Sequence, residues 1–350
     1  MPRAEPKRGH SIAWHQGPFS SLAQKGTIFD HSAIASDSYY NFLGYTLVTV
    51  VFHTRKVAHA LEMLPLNDLE TGGLNAPRVQ VDLFDPSFKI DTGAAIYESE
   101  LPRGTKLECL AVLGQPGPLV VSFHGALLRK KYQLPRFERL NSLTHLGVNA
   151  LFFSDPALYL SRRLELAWYT GWAGLELHEI IAEWIKKVRQ GIGAPTTLLT
   201  GSSGGGFAAL QTAPFVPDSI AVVFNPQTQL DKYLVGGRVD GTKAQRDYLR
   251  FLYPELLEPN SEVPENWGHL VGPKASVLER YKVGPKQKVY YWSNPDDFHH
   301  ESHFQPLLKF SEEHPNTIEL HSKIYKSRPG HRPPPPAIFT EAIQMTLANS

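Results

Sequence analysis

A single cysteine, Cys109, stands in 350 residues, which excludes an intrachain disulfide and leaves the fold to its own core. Such usage suits a reducing compartment, and a cytoplasmic location is expected. Neither sign of charge is in excess. Thirty-five lysines and arginines stand against 34 acidic residues, a formal net charge of +1. A chain so balanced lacks the positive field that holds a nucleic-acid backbone or an anionic membrane, so no nucleic-acid partner is expected. Long apolar runs are missing too. No stretch approaches the roughly 20 residues that cross a bilayer, and basic Arg3, Lys7 and Arg8 are followed by no apolar segment of a signal peptide. Neither a membrane span nor a leader is expected.

What is present is apolar content, 42% of residues, ample for one large core or a domain with a small accessory module. From Pro118 onward, short apolar runs alternate with helix-period segments, the signature of a mostly parallel sheet flanked by helices. Strands are expected at Pro118 to Gly125, Val148 to Asp155, Thr196 to Thr200, Ser219 to Asn225, Lys288 to Ser293 and Ile318 to Tyr325. Helices are expected at Leu134 to Leu146, Leu175 to Arg189, Gly204 to Thr212, Ser302 to His314 and Ala337 to Ala348. In Leu175 to Arg189, apolar Leu177, Ile180, Ile181, Trp184 and Val188 fall on one face. The rhythm breaks between Pro226 and Pro285, where Ala244 to Leu257 reads as helix and Pro259 to Pro273 as loop. This inserted segment, about 226–285, is expected to form a lid. Residues 1–90 read as a β-rich extension and 91–350 as the main domain. Runs at Tyr45 to Phe52, Arg78 to Phe84 and Lys106 to Leu113 are expected as antiparallel edge strands.

The strand at Thr196 to Thr200 leads into Gly201-Ser202-Ser203-Gly204-Gly205-Gly206 and then a helix. This is G-x-S-x-G with Ser203 at its centre, in the strand-turn-helix context that gives the motif chemical meaning. Small neighbours let a sharp turn pack while the serine hydroxyl projects near a helix N-terminus, where free N–H groups stabilise a developing oxyanion. The same residues fit a permissive dinucleotide fingerprint, Gly204-x-Gly206-x-x-Ala209. That alternative is disfavoured because strands and helices precede the motif and Phe207 stands where a phosphate-loop lysine would be. No cofactor is expected.

Three further places agree with the serine. The strand ending at Phe123 runs into His124-Gly125-Ala126, Lys288 to Ser293 into Asn294-Pro295-Asp296-Asp297, and Ile318 to Tyr325 into a loop ending Pro329-Gly330-His331. In this arrangement and order the chain resembles the α/β-hydrolase superfamily over roughly residues 90 to 350. The resemblance implies Ser203 as nucleophile, His331 as base and Asp297 as the acid orienting it, with Asp296 as the alternative acid. It also implies oxyanion donors at Gly204 and at Ala126 or Leu127. Asn294 is expected in the left-handed turn position, which selects Asp297 by counting. The implied activity is cleavage of an ester-like acyl bond of a small-molecule substrate. A weaker resemblance, in the GSSGGG elbow and the Pro295 to Phe304 stretch, is to hydrolase-like proteins of bacterial surface-glycan pathways. It implies acyl transfer to a glycan as an alternative, and a non-catalytic binding module is the third.

Two clusters compete for a role. His299 and His303 are spaced i,i+4, but His300-Glu301-Ser302-His303 is one residue short of H-E-x-x-H, so no metal is expected. Tyr159, Trp168, Tyr169 and Trp172 suit either core packing or stacking on a flat ligand. Arg162 and Arg163 suit a solvated face or an anion contact.

Overall fold

The computed structural model describes residues 76–89, 93–114, 116–235, 238–239, 243–257 and 261–350. The strand expected at Tyr45 to Phe52, and most of the extension assigned to 1–90, lie outside them. Strands form where β-branched and aromatic residues run together between glycine or proline breaks. In chain order they are β1 (Arg78–Gln80), β2 (Gly93–Leu101), β3 (Thr105–Leu113), β4 (Leu119–Phe123), β5 (Asn149–Ser154), β6 (Gly171–Trp172) and β7 (Leu175–Glu176). Then follow β8 (Thr197–Ser202), β9 (Ser219–Phe224), β10 (Leu234–Val235), β11 (Arg238–Val239), β12 (Gln287–Ser293) and β13 (Ile318–Ile324). Nine of these build one sheet, in the order β1-β2-β3-β5-β4-β8-β9-β12-β13.

From β5 to β13 every neighbouring pair is parallel, while β3 runs antiparallel to both β2 and β5. The central strands β4, β5, β8 and β9 are buried along their whole length, as sheets covered on both faces require. The covering helices are α1 (Leu140–Leu146), α2 (Leu177–Ile192), α3 (Gly204–Thr212), α4 (Ala244–Leu252), α5 (Gly268–Val271), α6 (Val277–Tyr281), α7 (Gln305–Glu313) and α8 (Pro336–Ala348). One core layer joins α2, α3 and α7 to the sheet; the other gathers Phe137, Leu140 and Leu143 with Phe339 and Ile343 of α8. All five expected apolar positions of α2 are buried, each stabilising by roughly 1.5–3 kcal/mol.

Several boundaries depart from expectation for local reasons. The helix expected from Leu134 begins only at Leu140, because Pro135 interrupts it and Arg139 takes a left-handed φ of 69°. The stretch Arg78 to Phe84 keeps three residues of strand, and β1 pairs parallel with β2 rather than antiparallel. Strand β2 itself was not expected, since its alanines and glutamates carry little β signal. Its burial by neighbours decides it, and Glu98 is held there by Arg78 and Lys106.

The rhythm breaks after β9 as expected, with the β10–β11 hairpin and helices α4 to α6 filling the insertion. The stretch read as loop at 259–273 contains α5. Leu230, Tyr248, Leu249, Leu252, Trp267 and Val277 bury themselves in the same core as the sheet, so this segment is a packed layer. Among the described residues no helix is long and apolar enough to cross a membrane.

Candidate active site

Ser203 sits between β8 and α3 with φ 55° and ψ −125°. Such a backbone costs a non-glycine residue on the order of 1–3 kcal/mol and persists only where the surroundings enforce it. Here main chain meets main chain. A Cβ on Gly201 would lie 2.4 Å from the Gly205 carbonyl carbon, and one on Gly205 would lie 2.2 Å from the Phe123 oxygen. Only glycine lets the end of β8, the start of α3 and the end of β4 come so close. The Ser203 N–H donates to the Phe224 oxygen at 3.1 Å, pinning the turn to β9. Helix α3 thus aims its unsatisfied N–H groups and positive end at this point.

The His124-Gly125-Ala126 turn lies alongside, a Cβ on Gly125 being 3.8 Å from the Ser203 Cβ. His124 N–H donates to the Tyr169 hydroxyl at 3.0 Å, Gly125 N–H to Glu138 Oε2 at 3.0 Å, and Leu127 N–H to the Glu165 oxygen at 2.6 Å. Of the two donors left open by the sequence, Leu127 is therefore occupied. The Ala126 N–H has no partner among the described residues. Glu138 pairs with Arg136 at 3.1 Å. Burial opposes its charge, but Arg136, Arg139 and the Gly125 N–H hold the carboxyl below its usual range. His124 is pushed down to about 3 by burial, helped by Arg136, and is neutral. Its Nε2 accepts the Asp155 N–H at 3.1 Å, so Nδ1 carries the hydrogen and donates to the Gly125 oxygen at 2.6 Å.

On the other side, β12 and β13 deliver the Asp297 and His331 loops. His331 Nδ1 meets Asp297 Oδ2 at 2.7 Å, and Asp297 Oδ1 accepts the His299 N–H at 2.9 Å. Asp297 is buried, whereas Asp296 is exposed and held through its backbone, its oxygen accepting the Gly330 N–H at 3.0 Å. That bond joins the two loops, with Gly330 turning at φ 90°. Asn294 does not take the left-handed position. Its N–H is held by Asn225 Oδ1 at 2.8 Å and its own Oδ1 accepts the Asp296 N–H at 3.3 Å, an Asx turn that needs no positive φ. Asn225, at the end of β9, carries the positive φ of 40° instead.

The structure brings Asp297 and His331 together, but the Ser203 hydroxyl is engaged elsewhere. Gln227 Nε2 donates to Ser203 Oγ at 3.2 Å, and Trp168 Nε1 donates to Gln227 Oε1 at 3.1 Å, which fixes the amide's orientation. His331 Nε2 is buried and has no hydrogen-bond partner among the described residues. Gln227 and Glu138 escaped the sequence reading, whereas His299 was singled out there as one of an i,i+4 histidine pair. For Gln227 a signal existed: polar Asn225, Gln227 and Thr228 directly follow a wholly buried strand, where open-sheet sites form.

Aromatic residues of the Tyr159 to Trp172 stretch are mostly structural. Trp168 and Tyr169 are fully buried, both with positive φ, and the Tyr169 hydroxyl donates to the Phe153 oxygen at 2.9 Å. Arg163 pairs with Asp247 at 2.8 Å. The histidine cluster divides: His300 Nδ1 meets Ser293 Oγ at 2.7 Å, while His303 Nδ1 accepts the Thr228 N–H at 3.2 Å. Asp297, His299 and His331 converge three donor atoms within 4.8 Å. Hydrogen placement fits them poorly to a metal. His299 Nε2 accepts the Leu234 N–H at 3.2 Å, so its hydrogen stands on Nδ1, where a metal would bind.

A nine-stranded, mostly parallel sheet with helices on both faces and a strained serine on a glycine-packed strand-to-helix turn decides the architecture. The chain has the α/β-hydrolase fold. No protein-family model and no curated protein matches the chain. Solved structures do resemble it. The capsule O-acetyltransferase of Neisseria meningitidis serogroup A is 16% identical, with a TM-score of 0.51 over 72% of this chain and 94% of that one. A glycosylation-associated protein complex of Streptococcus agalactiae matches at 16% identity and a TM-score of 0.53, over 72% of this chain. The match spans 46% of the streptococcal chain, less than half its length. Esterase B of Lactobacillus rhamnosis is 14% identical with a TM-score of 0.49, covering 88% of this chain and 96% of that one. Within this hydrolase fold, the elbow and the two loops after β12 and β13 mark the candidate site.

Proposed function

We propose that the protein is a serine hydrolase that cleaves an ester-like acyl bond of a small molecule through Ser203, His331 and Asp297. The observation that carries this reading is the strained Ser203 elbow, on the same sheet as a hydrogen-bonded Asp297–His331 pair whose outer nitrogen has no hydrogen-bond partner among the described residues. Strain of this kind is retained where a side chain must be presented in one direction.

Turning of the Ser203 side chain from Gln227 toward His331 starts the reaction. His331 Nε2 takes the hydroxyl proton as Oγ bonds to the acyl carbon, and Asp297 stabilises the resulting imidazolium. The oxyanion is received by the Gly204 and Ala126 N–H groups, each donor worth ~10²–10³ in rate. Collapse expels the leaving group, which takes the proton from His331, and water attacks the acyl-enzyme by the reverse sequence.

The test is labelling with a fluorophosphonate probe and turnover of a short-chain p-nitrophenyl ester. Both are expected for the wild type and lost in Ser203→Ala; labelling retained at a different residue overturns the assignment. Failure of the folded wild type to label at all would leave the binding-module reading. Product analysis with and without a glycan acceptor separates hydrolysis from acyl transfer, the reaction named for the meningococcal structure.

A further inference from the structure

Of the four N–H groups from His124 to Leu127, three are taken, by Tyr169, Glu138 and Glu165. The Ala126 N–H has no partner among the described residues. Behind the turn lies a buried ion pair that the proton path does not use, Arg136 with Glu138. Glu138 Oε2 accepts the Gly125 N–H at 3.0 Å and, on the same oxygen, Arg136 Nη2–H at 3.1 Å. Arg136 Nη1 donates to the Ala126 oxygen and reaches the Gly125 oxygen at 3.5 Å. Both residues are anchored to the sheet. The Arg136 N–H donates to Ser154 Oγ at 3.2 Å, at the end of β5, and the Glu138 oxygen accepts the Ser122 hydroxyl at 2.8 Å, in β4. The guanidinium also lies over the Tyr132 ring at 4.1 Å.

We propose that Arg136 and Glu138 are positioning residues for the oxyanion hole, holding the peptide units on either side of the Ala126 N–H so that it stays free and faces Ser203. The role rests on the hydrolase reading; the hold on the turn does not. A trans peptide points its oxygen and its hydrogen in opposite directions. The Gly125 oxygen is drawn back by His124 Nδ1–H at 2.6 Å, so the Ala126 N–H in the same plane points the other way. The planes before and after it are pinned by the ion pair, Glu138 taking the Gly125 N–H and Arg136 the Ala126 oxygen. Without that hold, rotation of the middle plane would turn the Gly125 oxygen toward Ser203, setting an acceptor where negative charge develops. Gly125 is close enough for this to matter, since a Cβ built on it would lie 3.3 Å from the Ser202 oxygen and 3.8 Å from the Ser203 Cβ. The cation adds a second effect. Hydrogen bonds to the two carbonyls polarise their amides and strengthen the N–H at the far end of each. Glu138 keeps that cation paired, and a guanidinium buried alone would be strongly unfavourable.

The test uses the full chain and a neutral replacement of the pair, Arg136→Met with Glu138→Gln, which leaves no charge buried without a partner. The probe is a trifluoromethyl ketone carrying the acyl chain of the p-nitrophenyl ester. Ser203 Oγ adds to its carbonyl carbon, the hydroxyl proton passes to His331, and the former carbonyl oxygen becomes an anion where the oxyanion forms. In the neutral pair kcat should fall about 10- to 100-fold, part of what one donor supplies, with KM within about twofold. Ki for the ketone should rise by the same factor. Arg136→Lys keeps a charge beside Glu138 but has no planar fork to span carboxylate and carbonyl together, so it should fall between the neutral pair and wild type in both readouts. A purely structural role would lower the melting temperature and the fraction of titratable sites and leave Ki unchanged. An unchanged Ki, or a loss of kcat accounted for by that fraction, overturns the proposal. Crystal structures of wild type and the neutral pair read the turn itself. The Ala126 N–H should face Ser203 in the first, and that peptide should be turned over or split between two orientations in the second; an identical turn in both overturns the hold. A wild type that neither turns over ester nor labels at Ser203 sinks the hydrolase reading instead, and the crystal structures still decide whether the pair sets the turn.

Discussion

The two flanks of the candidate site are built on different principles. On the nucleophile flank, Ser203 is held by backbone touching backbone through Gly201 and Gly205, with contacts that no side chain could share. The acid–base flank consists of loops joined by hydrogen bonds: Asp297 to His331, Gly330 to Asp296, Asn294 to Asn225 and His299 to Leu234. Sterics fix the first flank, and polar partners drawn from four separate stretches of chain fix the second. One flank is therefore brittle toward added volume, the other toward lost or misplaced hydrogens. Substitutions that add a methyl group or move one proton should discriminate between them.

The largest effect is expected from moving a hydrogen. Asp297→Asn keeps an acceptor for the His299 N–H but can present an amide N–H to His331 Nδ1, forcing the imidazole hydrogen onto Nε2. A base with that tautomer cannot accept the serine proton, and kcat for a p-nitrophenyl ester should fall roughly 10⁴-fold with the fold intact. Asp296→Asn is the matched control: exposed and joined only through its backbone, it should leave kcat within about twofold, as surface changes generally do. Equal losses in the two variants would refute the assignment of Asp297 as the acid.

Adding a methyl group should reverse the ranking of the flanks. Gly205→Ala drives a Cβ to within 2.2 Å of the Phe123 oxygen, with no flexible side chain to yield. Unfolding free energy should drop by about 3 kcal/mol or more, the upper range for overpacking. Gly330→Ala meets nothing within 4 Å and faces only its φ of 90°, for which a loss of about 1–2 kcal/mol is expected. Urea midpoints at equal slope measure both. A Gly205→Ala protein as stable as the Gly330→Ala protein would show that the elbow is not close-packed.

These flanks also differ in how much of them could be read before the structure. The elbow was legible because sterics acts locally: a buried run, then glycines around a serine, then a helix-period segment, all within residues 197–212. The strands of the large sheet from β4 onward were legible for the same reason, each being a short apolar run bounded by breakers, whereas the two-residue strands β6, β7, β10 and β11 were not. The acid–base loops were legible only as endpoints, Asp297 and His331 after their strands. That His299 stands against His331, or that Gln227 occupies the serine hydroxyl, depends on contacts across 32 and 24 positions of chain, for which periodicity carries no signal. Strand β2 was missed because its burial comes from β1 and β3, not from its own alanines and glutamates.

The effect confined to the narrowest range of conditions concerns acid. His124 on the nucleophile flank and His303 on the other are each pushed down to about 3 by burial, with Arg136 acting on the first and His331 on the second, from an ordinary 6.5. Below pH 6.5 the unfolded chain takes up a proton at each that the folded chain refuses until about 3, so stability present at neutral pH drains as pH falls. By pH 5 the loss is about 2 kcal/mol per histidine. His299, lowered by burial and two neighbouring histidines, acts in the same direction, so the acid–base flank should supply the larger share of acid sensitivity. His303→Asn keeps an acceptor for the Thr228 N–H while removing the titrating ring, and His124→Gln removes the other. Each should flatten the fall in unfolding free energy between pH 7.5 and 5.0 by a similar amount, whatever it does to stability at neutral pH. An unchanged slope in both variants would mean that these rings admit protons in the folded state, and the hydrogen placements inferred around Gly125 and Thr228 would then be wrong.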